Sequence, residues 1–144
     1  MIHYVTGFMF SEDKKHVALI SKLQPSWQKG QLNGIGGKIE TGETPQQAMA
    51  REFAEEAGIN TQPEEWKLFT VLTRPDAYQV NFLYTYDDRI YSAKSVEKEI
   101  VNIYEAQSLP DNIIYNLRWL IPMALDEHLR FDRPIEIIEM RENS

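Results

Sequence analysis

The sequence contains no cysteine, which removes disulfide staples, thiol nucleophiles and thiolate metal sites together. It also has no run of about eighteen apolar residues, the length a membrane-spanning helix needs. The opening MIHYVTGFMF lacks a basic stretch followed by an apolar segment and a small-residue cleavage site, so no secretion signal is expected and a cytoplasmic setting is. Basic runs are scarce: Lys14-Lys15 is the longest, against a formal net charge of −7. Duplex DNA or structured RNA would meet net repulsion, so a nucleic-acid polymer is not an expected partner. A small phosphate-bearing ligand stays open, because one divalent cation can reverse the sign locally. No repeat, low-complexity tract or Pro/Gly-rich linker divides the 144 residues. An apolar content of 42 % and a charged content of 26 % suit one globular domain over residues 1–144, as a monomer or a homodimer.

What is present is a legible order of elements. HYVTGFMF (3–10) and HVALISKL (16–23), rich in β-branched and apolar residues, read as strands paired across the turn SEDKK. Residues 24–43 are dense in glycine, asparagine and proline, and read as a loop with short extended pieces. Thr44 suits an N-cap and Pro45 the first helical position, where its missing N–H costs nothing. Gly58 suits the stop, which predicts a helix over 45–57. WKLFTVLTR (66–74) and YQVNFLYTY (78–86) read as strands, the second with Val80, Phe82 and Tyr84 on one face and Gln79, Asn81 and Leu83 on the other. IVNIYEA (100–106) is a further strand, NLRWLIPMALDEHLR (116–130) an amphipathic helix in which Pro122 removes one hydrogen bond, and PIEIIEM (134–140) a closing strand. This order predicts an α/β (α+β) sandwich, a mixed sheet with a helix on each side.

The first helix is oddly acidic. Residues 36–59 hold five glutamates, and Glu52, Glu55 and Glu56 lie within five positions. At about 100° per residue these three share one face. Met49, Ala50, Phe53 and Ala57 fill the opposite arc and supply a buried stripe. Crowded like charges repel one another. The helix is therefore either a solvated face or the wall of a cation site, since a hard divalent ion prefers several carboxylate and carbonyl oxygens. Spacing alone does not choose between them.

The surroundings do. Gly37, five residues, Glu43, seven residues, then Arg51-Glu52-Phe53-Ala54-Glu55-Glu56-Ala57-Gly58-Ile59 resemble the Nudix box, the signature of hydrolases of nucleoside diphosphates linked to another group. Every fixed position is matched; Phe53 stands where the family usually has an aliphatic residue and is expected to face the core. The resemblance implies a Nudix-type α/β/α sandwich and divalent ions, Mg²⁺ or Mn²⁺. Their ligands would be Glu52, Glu55, Glu56 and the Gly36 carbonyl, with a further glutamate from across the site, Glu99 or else Glu97. Either Glu56, Glu52 or a metal-bound hydroxide would serve as base. Arg51 would hold a glutamate, Glu43 or Glu55, in place. Gly34, Gly36 and Gly37 would let the loop backbone approach helix and ligand closely.

The box says little about the base. LNGIGGK (32–38) resembles the WNGFGGK segment of the MutT-like branch that cleaves purine nucleoside triphosphates, oxidised dGTP among them. That resemblance implies substrate contacts at Asn33, Gly37 and Lys38, and at Asn116, where the branch carries a base-reading Asn or Asp. Asn33 can equally cap a turn and Asn116 a helix. Leu32 replaces the aromatic that would stack on the base; Trp27, Trp119, Tyr78 and Tyr84 are the other aromatics able to stack or to fill the core. Two alternatives stand beside the triphosphate substrate. Pro75 lies where enzymes cleaving ADP-ribose or other nucleoside-diphosphate sugars often have proline, although TRPDAY is also an ordinary turn. A Nudix-fold sensor could bind a nucleotide without cleaving it, but would have no need of the full carboxylate set.

Overall fold

The computed structural model describes residues 1–129 and 132–140. Its frame is an eight-stranded mixed sheet, as the alternating pattern predicts. The strands are β1 (Ile2–Phe10), β2 (His16–Ser21), β3 (Leu32–Asn33), β4 (Ile35–Lys38), β5 (Lys67–Arg74), β6 (Tyr78–Tyr86), β7 (Ile100–Glu105) and β8 (Ile135–Ile138). They run in the order β3-β2-β1-β6-β5-β8, with β4 paired to β1 and β7 to β2. β1 is the hub: it lies parallel to β6 along nine pairs from Ile2↔Tyr78 to Phe10↔Tyr86, and antiparallel to β4 from Tyr4↔Lys38 to Gly7↔Ile35. The expected β1–β2 pairing exists but is confined to Phe10↔Val17, because β4 occupies the rest of that edge.

Both faces of the sheet are buried, and the two-residue period sorts side chains between them. Phe8, Phe10, Val17, Leu19 and Phe82 point to one side, where they meet Leu117, Leu120, Ile121 and Ala124 of helix α2 (Leu117–Leu125). Val5, Met9, Ala18, Ile20 and Leu83 point to the other, against Ala48, Met49, Phe53 and Ala57 of helix α1 (Pro45–Ala57). Phe53 is fully buried, its ring 5.2 Å from that of Trp66. Tyr84 and Trp119 pack against the α2-side core and are accounted for there.

α1 begins and ends where its sequence says. Thr44 Oγ1 accepts from the Gln47 N–H at 3.1 Å while Gln47 Oε1 accepts from the Thr44 N–H at 2.9 Å, a reciprocal capping box. Gly58 closes the helix in the left-handed region at φ 70°. α2 is shorter than the 116–130 pattern. It stops at Leu125, the backbone turns extended at Asp126, and Arg130 lies outside the described residues. Pro122 sits inside it on the exposed side. Among the described residues no helix is long and apolar enough to cross a membrane.

Candidate active site

One end of β1, β4 and α1 gathers the charged residues. Gly36 and Gly37 of β4 pair with Thr6 and Val5 of β1, and side chains there would meet backbone at Gly36 and the Glu52 carboxylate at Gly37. A Cβ on Gly36 would collide with the Val5 carbonyl, and one on Gly37 would lie 2.5 Å from Glu52 Oε1. The glycines thus let a carboxylate of α1 press against the backbone of a strand.

Arg51 organises the acids around it. Its Nε and Nη2 donate to the two oxygens of Glu43 at 2.7 and 2.9 Å, a bidentate pair, and Nη2 also donates to the Lys38 carbonyl at 2.9 Å. Nη1 reaches Glu52 Oε1 at 2.9 Å and Glu55 Oε2 at 3.4 Å. Of the two expected partners, Glu43 is held far more closely than Glu55; the contact to Glu52 was not foreseen. The Arg51 guanidinium draws the Glu43 carboxyl below the usual carboxylate range. Across from these, Glu99 precedes β7 and Lys22 follows β2, strands joined at Ser21↔Ile100. Glu99 Oε1 accepts from Lys22 Nζ at 3.3 Å and Oε2 from the Leu23 N–H at 2.6 Å. Lys22 escaped sequence reasoning, since only the β2–β7 register brings it to the acids.

Glu56 is the exception among these carboxylates. Its Oε2 is buried and has no hydrogen-bond partner among the described residues. Burial, then the charge of Glu52, pushes its pKa up to about 8; Lys22 opposes the rise, while Glu99 and Glu97 add to it. Burial raises the Glu52 pKa as well, against the pull of Arg51. Glu55 is the most open of the helix acids, with 48 % of its side chain exposed against 12 % for Glu52. Among the described residues no three acidic or histidine side chains are already gathered for a metal. Arg51 and Lys22 hold Glu43, Glu52, Glu55 and Glu99 in ion pairs instead.

Beside the acids opens a cleft of about 320 Å³, lined by Tyr4, Thr6, Lys22, Trp27, Asn33, Gly36, Gly37, Tyr78, Tyr115, Asn116 and Glu139, among others. Asn33, Gly37 and Asn116 are thus brought together, whereas Lys38 is exposed, lies outside the lining and contributes its carbonyl to Arg51. Asn33 Oδ1 accepts from the Gly34 N–H at 2.8 Å, the local turn role. Asn116 stands at the N-cap position of α2 but its side chain does not cap it. Its backbone is already helical, its side chain makes no cap bond, and its Oδ1 is buried without a partner among the described residues. Of the candidate stacking aromatics, Trp27, 62 % exposed, and Tyr78 line the cleft. Tyr115 and Glu139, joined at 2.8 Å, form a wall that no sequence signal pointed to. Pro75 occupies the β5–β6 turn closed by Ala77 N–H to Arg74 O at 3.0 Å, with Asp76 left-handed at φ 63°, so turn geometry accounts for it.

Known proteins fit this picture. The NUDIX domain family profile matches residues 1–136. Over 71 residues the chain is 57 % identical to 8-oxo-dGTP diphosphatase of Escherichia coli (strain K12), a stretch covering 49 % of this chain and 53 % of the relative. The chain therefore spans about half the length of that curated relative. A solved chain from a study of MutT of Aliivibrio salmonicida and Vibrio cholerae superposes with a TM-score of 0.65 at 25 % identity, covering 83 % of this chain and 96 % of its own.

Proposed function

From the premise that this chain belongs to the NUDIX domain family, we propose that it is a magnesium-dependent pyrophosphohydrolase. Its substrate would be a nucleoside triphosphate, oxidised purine dNTPs included, cleaved by water to the nucleoside monophosphate and pyrophosphate. The similarity to an 8-oxo-dGTP diphosphatase and to MutT supports this substrate class. A cytoplasmic setting and a small-molecule partner belong to the same reading.

The observation that carries it is Glu56. A partly buried carboxyl whose inner oxygen has no hydrogen bond among the described residues, pressed by neighbouring acids, is unfavourable unless something positive joins it. Arg51 is committed to Glu43 and Lys22 to Glu99, so the donor set fits a hard divalent cation. Glu52, Glu55, Glu56, Glu99 and the Gly36 carbonyl would hold it. Mg²⁺ or Mn²⁺ would neutralise the polyphosphate, polarise the phosphorus under attack and acidify a water. Arg51 positions Glu52 through its own anchoring on Glu43 and Lys38. Lys22, at the junction of acids and cleft, would meet phosphate oxygens once Glu99 turns to the cation. Glu56 or Glu52 would take the proton of the attacking water. In the cleft, Asn116 would read the base edge, with Asn33 and Gly37 beside the nucleotide and Tyr78 and Trp27 as stacking surfaces.

The test is a substrate panel with Mg²⁺: canonical and oxidised dNTPs, ADP-ribose, diadenosine polyphosphates, NADH and capped RNA, each with wild type, Glu52→Gln and Glu56→Gln. Triphosphate cleavage lost in both variants, with the fold retained, is the expected result. Full activity in both ends the catalytic assignment. Preference for ADP-ribose would move the substrate while keeping the enzyme class.

A further inference from the structure

Of the expected cation ligands Gly36, Glu52, Glu55, Glu56 and Glu99, only the last lies outside helix and strand. It ends the irregular segment 94–99 that leads into β7. Ligands on a rigid helix or strand keep their spacing unaided, whereas one on a loop has to be fixed by its surroundings.

The segment is fastened on both sides of Glu99. At the end of α1, the Lys94 N–H donates to the Ala57 carbonyl at 3.1 Å and the Val96 N–H to the Glu56 carbonyl at 3.3 Å. These bonds take up carbonyls that a helix end leaves open, and they tie the segment to the backbone of Glu56 itself. At the strand, Ser95 Oγ accepts from the Val101 N–H at 2.9 Å. The same hydroxyl donates to the Val101 carbonyl at the long distance of 3.5 Å. Among the described residues β7 pairs only with β2, so its outer edge has no strand partner and Ser95 stands in for one.

The loop closed between Ser95 and Val101 contains Glu97 and Glu99. Register puts Ile100 opposite Ser21, and from there Glu99 Oε2 meets the Leu23 N–H at 2.6 Å. Ser95 is exposed, so its bonds hold shape rather than bury apolar area. We infer that Ser95 is a positioning residue: its hydroxyl clasps β7 to the segment docked on the end of α1, and so fixes Glu99 against the acids of that helix. That Glu99 then serves a cation rests on the pyrophosphohydrolase reading above; that Ser95 fixes it does not.

Two measurements compare wild type with Ser95→Ala, Ser95→Thr, Glu99→Gln and the double variant Ser95→Ala/Glu99→Gln. In chelator, amide hydrogen exchange is followed at Leu23, whose N–H reports the Glu99 carboxylate, relative to Leu83 in the buried sheet. Ser95→Ala should speed this relative exchange about fivefold, and Ser95→Thr, which keeps a hydroxyl, should match wild type. With Mn²⁺ and no nucleotide, calorimetry gives the affinity, which Ser95→Ala should weaken about tenfold. In the Glu99→Gln background the same substitution should weaken it no further, because no carboxylate is left to position. Unchanged Leu23 exchange in Ser95→Ala overturns the proposal. So does an equal loss of Mn²⁺ affinity in both backgrounds, which would make the serine a plain structural residue. Should wild type take up no Mn²⁺, the cation reading fails on its own, and Leu23 exchange still decides the clasp.

Discussion

Replacing Glu56 with glutamine should stabilise the cation-free protein, and by an amount that depends on pH. The carboxyl has an ordinary pKa of 4.5 and one of about 8 in the fold, raised first by burial and then by Glu52. Below 4.5 both folded and unfolded chains hold the proton and nothing is lost. As pH rises from 4.5 to 8 the unfolded chain releases its proton first, so folding stability falls; above 8 the loss is complete. At about 1.4 kcal/mol per pH unit the full difference is about 5 kcal/mol. Glu56 is only partly buried, and solvent screening reduces this to about 2–3 kcal/mol. Glu56→Gln removes the charge and should recover it. For a domain of this length that is about 5–10 °C in unfolding midpoint. The assay is thermal unfolding in chelator at pH 5 and pH 8.5. The variant should melt close to wild type at pH 5 and well above it at pH 8.5. Adding Mg²⁺ should raise the wild-type midpoint more than the variant's. Equal differences at the two pH values, with no preferential response to Mg²⁺, would refute both the electrostatic account of Glu56 and the cation it implies.

Three other outcomes follow from the contacts. Gly37→Ala places a methyl 2.5 Å from Glu52 Oε1 and should cut turnover about 100-fold by displacing that carboxylate, with little change in circular dichroism; steady-state kinetics decide. Arg51→Lys cannot reproduce the two-point hold on Glu43 together with the Lys38 carbonyl and should destabilise by about 1–3 kcal/mol in urea unfolding. Tyr115→Phe deletes the 2.8 Å bond to Glu139 in the cleft wall and should raise KM by about threefold with kcat unchanged.

The site was legible wherever chemistry is written locally. Helix α1 carries its own start in Thr44 and Pro45, its stop in Gly58, and its acidic and apolar faces in one period, so its bounds and orientation could be read directly. The strand alternation was equally direct: Val80 and Phe82 separate from Leu83 by pleat alone. The Asn116 cap was not borne out, because an N-cap residue and one already in helical backbone look identical in sequence. Glu55 was grouped with Glu52 by helical angle, yet its exposure sets it apart, since angle says nothing of what the other elements cover.

The sequence by itself determined the reactive inventory: which carboxylates share a helix face, which glycines precede them, and that no thiol or basic patch competes. Those properties depend on residues a few positions apart, where backbone geometry is nearly fixed. Only the tertiary structure decided that Arg51 anchors on Glu43 rather than Glu55, that Lys22 meets Glu99 across 77 positions, and that Asn33 and Asn116 line one cleft. Such contacts follow from strand register and from the packing of loops against the sheet, and these are set by burial of the whole chain rather than by any short stretch of it.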